Sequence, residues 1–144
     1  MLPKSDWSHL IPHASSMCLL DAVLAWDEKT IHAISAGHAR ADNPLRDEHG
    51  LHAVHLAEYG AQAMAVHGAL LARANGVEQV RPGRLVSLRD VQLHAEYVDS
   101  LDGRLDVHAE CLYADDSGAQ YAFRVEHRGN LLAMGRAAVI YATG

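Results

Sequence analysis

The sequence predicts an α+β domain in which one antiparallel sheet wraps around a single long helix, and three stretches carry that expectation. From about Ala53 to Arg73 the chain is rich in alanine and nearly free of charge, apolar almost all the way round, as befits a helix enclosed by other structure. After Pro82-Gly83 four segments alternate apolar and polar residues in the manner of half-buried strands. Before the helix, Leu20 to Ala36 reads as strand, bent or broken near Asp27.

Taken in order, residues 6 to 12 give at most a short helical turn, with a capping-type start and a proline stop. In the strand region Ile31, Ala33 and Ser35 share one side. Gly37 to Gly50 is a loop, marked by its glycines, Asn43-Pro44 and a concentration of charge, and it delivers the chain into the helix. Asn75-Gly76 ends the helix, since both residues tolerate the left-handed conformation of a helix terminus. The later strands run over Leu85 to Tyr97, Arg104 to Tyr113, Tyr121 to His127 and Leu131 to Tyr141. Asp102-Gly103, Ser117-Gly118 and Gly129-Asn130 supply hairpin turns between them. A twisted antiparallel sheet curled around one apolar helix buries that helix best, which is the hotdog fold.

The whole chain of 144 residues suffices for one such domain, residues 1–144, with a single core. A net charge of −6 without a basic stripe argues against nucleic acid as a partner. An acidic protein partner would need a local basic patch, for which Arg81 with Arg84, or Arg124 with Arg128, are the candidates. Cys18 and Cys111 lie far apart in apolar contexts, as reduced buried thiols do. No segment has the length and apolarity of a membrane span, and no secretory leader is recognisable, so a cytoplasmic location is expected.

Within the helix the polar exceptions are grouped: His55, Glu58 and Gln62 fall within roughly 60° of one another on a helical wheel. Glu58 is thus expected in the core, where an unpartnered carboxylate costs several kcal/mol. It is either a satisfied structural residue or an acid/base group lining a pocket.

Three features resemble the hotdog-fold 3-hydroxyacyl-thioester dehydratases of fatty-acid synthesis, and more closely the dehydratase-like proteins of aryl polyene biosynthesis. Ile11-Pro12-His13 with Leu19-Leu20-Asp21 is similar to the family's opening; Gly37-His38 to its Gly-His; and Glu58-Tyr-Gly-Ala-Gln62 to the Glu-x-x-x-Gln of its central helix. The resemblance implies a lyase that removes water from a 3-hydroxyacyl thioester carried by an acyl-carrier protein or coenzyme A, leaving a trans-2-enoyl thioester. It implies no cofactor and no metal. His38 would be the base that takes the proton next to the carbonyl, and Glu58, from the helix of a facing subunit, the acid that protonates the departing hydroxyl. Gln62 would orient Glu58 and, with Asn43 and His49, contact substrate, and backbone N–H groups near the helix start would meet the enolate. A homodimer, or a heterodimer with a second hotdog protein, follows from a site shared between subunits.

His38 and Glu58 stand twenty residues apart, a longer loop than in the housekeeping dehydratases. His49-Gly50 with an acid nine positions on is similar to the thioesterase branch of the fold, in which the helix carboxylate serves hydrolysis. Two further readings therefore stand beside the dehydratase: an acyl thioesterase, with His49 the next histidine to consider, and a catalytically weak subunit that supports another dehydratase. The eleven histidines do not make a metal motif, since His49, His52 and His55 are spaced by three and no His-Glu-x-x-His occurs. His52 and His55 read as hydrogen-bonded or pocket-lining residues at the helix start, His67 as a satisfied core histidine, and His94, His108 and His127 as solvent-facing or subunit-contact residues on strands.

Overall fold

A computed structural model describes residues 1–11, 17–77 and 83–141. His13 and Arg81, singled out above, lie outside them. Two single-turn 3-10 helices, Lys4–Asp6 and Ser8–Leu10, follow the two-residue strand β1 (Leu2–Pro3). The sheet continues with β2 (Ala22–Trp26), β3 (Thr30–Ser35), β4 (Gly83–Leu93), β5 (Leu105–Ala114), β6 (Gly118–His127) and β7 (Asn130–Tyr141). All seven strands form one antiparallel sheet in the order β1-β2-β3-β5-β6-β7-β4. The break between β2 and β3 falls at Asp27, whose carboxylate accepts from the Lys29 and Thr30 amides and makes the turn.

The helix α1 (Leu56–Ala74), entered through a 3-10 turn at Ala53–His55, packs across β3, β5, β6 and β7. His52 starts it, with Nδ1 accepting from the Val54 amide. Its buried side presents Leu56, Tyr59, Ala63, Val66 and Leu70 to Ile31, Ala33, Val107, Ala109, Phe123 and Val125. These strand residues alternate with outward-facing ones, so each strand contributes one apolar face to the core.

Two expectations need correcting. The chain does not turn from β4 into a neighbouring β5 at Asp102-Gly103: β4 pairs with β7 at the far edge, and residues 94–104 carry the chain across. Turn dipeptides mark a reversal but not the strand that follows it. Nor is α1 enclosed on every side. Glu58 and Val54 are exposed, and Ala61, Ala65, Gly68 and Ala72 are only half-buried, so one small-residue stripe stays open.

Candidate functional site

A 3-10 turn over Gly37–Ala39 follows β3 and holds His38 wholly inside. Its Nε2 lies 2.8 Å from the carbonyl oxygen of Leu101. A carbonyl can only accept, so Nε2 carries the hydrogen and donates it. Nδ1 is buried and has no hydrogen-bond partner among the described residues. An unsatisfied buried polar atom costs about 1–3 kcal/mol, a penalty that purely structural histidines avoid.

Asn43 folds back under this turn. Its Nδ2 donates to the Gly37 carbonyl at 3.0 Å and to the Tyr59 hydroxyl at 3.1 Å, while its Oδ1 accepts from the Leu45 amide at 2.9 Å. Tyr59 is fully buried on α1, and burial pushes its hydroxyl up from the ordinary tyrosine range. Gln62, one turn further along α1, is also buried: Oε1 accepts from the Leu19 amide at 2.8 Å and Nε2 donates to the Met17 carbonyl at 2.5 Å. Both ends of its amide are therefore committed to backbone, and the expected bond that would orient Glu58 is absent. A cleft of ≈ 350 Å³ opens beside the turn, with Leu19, Asp21, Gly37, Arg40 and Asn43 in its walls.

Glu58 is the main departure from expectation, because its side chain lies on the exposed face of α1 and not in the core. Among the described residues it makes no hydrogen bond or ion pair. The helical wheel grouped it with His55 and Gln62, but the boundary of the buried face runs between them, leaving Gln62 inside and Glu58 outside. Its place in the first turn suits a carboxylate, which the helix dipole favours there. His38 and Glu58 are not joined within this one chain.

His49 is exposed at the tip of the loop and lies 3.4 Å from Glu48. The neighbouring Gly50 adopts φ +117° and packs directly on the Asp99 carboxylate, leaving no room for a Cβ. Asp99 Oδ1 accepts from the Leu51 amide at 2.9 Å, its other oxygen is 3.5 Å from Arg46, and these contacts, led by the amide, hold its carboxyl below the usual range. Val98 N–H donates to Leu51, and Ala53 N–H to Glu96. Residues 96–101 thus staple the loop into the helix start and supply the carbonyl that holds His38. Sequence reasoning passed this segment over, since its pairing partners lie some fifty residues away and only the apolar-acid pair Val98-Asp99 hints at it.

His67, His32 and His108 have polar partners. His67 is fully buried, with Nε2 donating to the Asp27 carbonyl at 2.8 Å and Nδ1 accepting from the Tyr121 hydroxyl at 2.6 Å, as a core histidine should be. His32 and His108 stack at 4.1 Å on the outer face of the sheet, next to Asp106 and Glu126. Both cysteines are free. No helix among the described residues is long and apolar enough to cross a membrane.

A long antiparallel sheet of seven strands with one long helix packed against it defines the hotdog class. A family model described as ApeP-like, ApeP dehydratase, matches residues 5–143. The chain belongs to this dehydratase family. Among solved structures it is similar to the dehydratase heterocomplex ApeI:P from Xenorhabdus doucetiae, at 20% identity over 99% of this chain and 93% of that one, with a TM-score of 0.86. It also resembles a thioesterase from Staphylococcus aureus (14% identity, 85% and 93% covered, TM-score 0.60) and a hypothetical thioesterase with coenzyme A from Streptococcus pneumoniae (11%, 83% and 84%, 0.61). No curated protein matches the chain.

Proposed function

We propose that the protein dehydrates 3-hydroxyacyl thioesters borne on an acyl-carrier protein or coenzyme A, with His38 as base and Glu58 of a facing hotdog subunit as acid. The observation that carries this reading is the orphaned Nδ1 of His38. With Nε2–H committed to Leu101, the lone pair of the neutral ring sits on Nδ1, buried and without a partner among the described residues, which suits a base waiting for a carbon-bound proton. The C2–H bond breaks toward Nδ1, the electron pair forms the C2–C3 double bond, and the C3–O bond breaks as Glu58 protonates the departing hydroxide to water. The proton on Nδ1 then returns to the Glu58 carboxylate to close the cycle.

An exposed Glu58 fits a site completed by a second subunit, which would close over the open stripe of α1 and shield the carboxyl from water. That subunit is either a second copy or another hotdog chain; the similar Xenorhabdus structure is a heterocomplex, which favours the latter arrangement. A place in aryl polyene or fatty-acid-like biosynthesis suits the same chemistry.

The test incubates purified protein, alone and with Glu58→Gln or His38→Gln, with a 3-hydroxyoctanoyl carrier protein and follows the acyl group by mass spectrometry. Loss of one water in the wild type, reduced at least a hundredfold in each variant, is the expected result. Release of free acid would instead establish a thioesterase, and an unchanged substrate a supporting subunit.

A further inference from the structure

We infer that Asn43 and Tyr59 act together as positioning residues that lock the His38 turn to α1, and that Asn43 is not a substrate contact. This rests on the dehydratase reading above and concerns how its base is held. The argument starts from where the hydrogen bonds go. Asn43 is nearly fully buried, and its amide is already spent on the Gly37 carbonyl, the Tyr59 hydroxyl and the Leu45 amide. Nδ2 has used both its hydrogens, so it has no donor left to offer a ligand.

What the residue does join is informative. Gly37 immediately precedes His38, and Tyr59 immediately follows Glu58. The bridge Gly37 O–Asn43 Nδ2–Tyr59 OH therefore ties the backbone next to the base to the first turn of its own chain's α1, whose Glu58 in this reading serves the facing subunit's site. A second relay runs beside it: Gln62 accepts from the Leu19 amide, and Ser35 Oγ donates to the Leu19 carbonyl at 2.5 Å. Positions 59 and 62, adjacent on one helical face, thus reach residues 37 and 35 on either side of the bend that leads to His38. On the opposite side the Leu101 carbonyl pins Nε2. Held from both sides, the ring has one free nitrogen and little freedom to turn it. A misplacement of about 1 Å at a reacting group can cost two orders of magnitude in rate, so a strut of this kind bears on turnover and not on substrate affinity.

The experiment is a double-mutant cycle of Asn43→Ala and Tyr59→Phe in the full chain with its natural subunit partner, assayed by steady-state turnover of 3-hydroxyoctanoyl carrier protein. Each variant is expected to lower kcat by about tenfold or more with KM within twofold, and the double variant to be no worse than the poorer single one. The His38 imidazole resonances, followed by NMR through a pH titration, should shift in Tyr59→Phe as in Asn43→Ala. A raised KM in Asn43→Ala with Tyr59→Phe silent would overturn the inference in favour of a substrate contact. Lowered melting temperatures with unchanged rates and unmoved His38 resonances would reduce the bridge to a structural bond. If the wild type itself releases no water, the dehydratase reading fails, and the NMR titration still decides whether the bridge sets the His38 ring.

Discussion

His67 is a buried imidazole whose two nitrogens have distinct duties, and its protonation state is fixed by its neighbours. The Asp27 carbonyl requires Nε2–H, and the Tyr121 hydroxyl donates to Nδ1, so a second proton would have to reverse the Tyr121 bond and place a charge in the core. Burial accordingly pushes this histidine below its ordinary value. The unfolded chain, with its histidine near 6.5, binds the proton first as pH falls, so the folded state loses stability below about pH 6.5 and regains it above. Denaturant titrations between pH 8 and pH 5 should show a steeper fall for the wild type than for His67→Gln. Equal slopes would mean that other groups set the acid sensitivity. At Gly50 the constraint is conformational. A side chain there would carry φ +117° and displace the Asp99 carboxylate from the Leu51 amide, so Gly50→Ala is expected to cost about 2 kcal/mol or more in urea unfolding.

At the level of elements, α1 approaches the sheet through glycine and alanine. The Phe123 ring lies where Cβ atoms of Gly60 and Gly135 would be, 2.7 Å and 3.0 Å from its carbons, so this side chain fills a slot that two glycines on different elements open for it. Gly60→Ala should gain helix propensity yet lose about 1–3 kcal/mol net through overpacking, measurable by thermal unfolding with the fold retained. This contact shows what could and could not be read in advance. Alternation along β5, β6 and β7 and the alanine-rich run of α1 are local patterns, so strands, helix and their buried faces were legible, as was the satisfied His67. Glu58 was placed inside because periodicity gives a face without saying what covers it, and alanine is equally at home half-buried. The Leu101 carbonyl under His38 and the Asn43–Tyr59 bond connect segments far apart in sequence, and no spacing rule reports them.

Among the described residues the sheet ends on a two-residue strand, β1, at one edge and on the eleven-residue β4 at the other. β4 pairs with β7 alone, and Val86, Leu88, Val91 and Leu93 along it are each about two-fifths exposed or more. Leu88 and Leu93 stand beside Ala137 and Ala133, on the same face as α1, so the apolar lining of the core continues past the helix to this edge. Natural sheets blunt a free edge with charge and bulges, and β4 has Arg84, Arg89, Asp90 and two register shifts, yet it also leaves four apolar side chains exposed, which suits a strand that is paired in the assembled protein. Sheet pairing at β4 would bring a second subunit toward the open flank of α1 where Glu58 stands. Leu88→Lys places a charge in that contact without touching either proposed catalytic residue. The expected outcome is a folded chain with unchanged circular dichroism, a shift to monomer in sedimentation, and dehydration reduced in proportion to the dimer lost. A variant that stayed associated and fully active would remove β4 from the subunit contact. One that became monomeric yet kept full activity would show that Glu58 needs no facing subunit, and the acid would then have to be sought within a single chain.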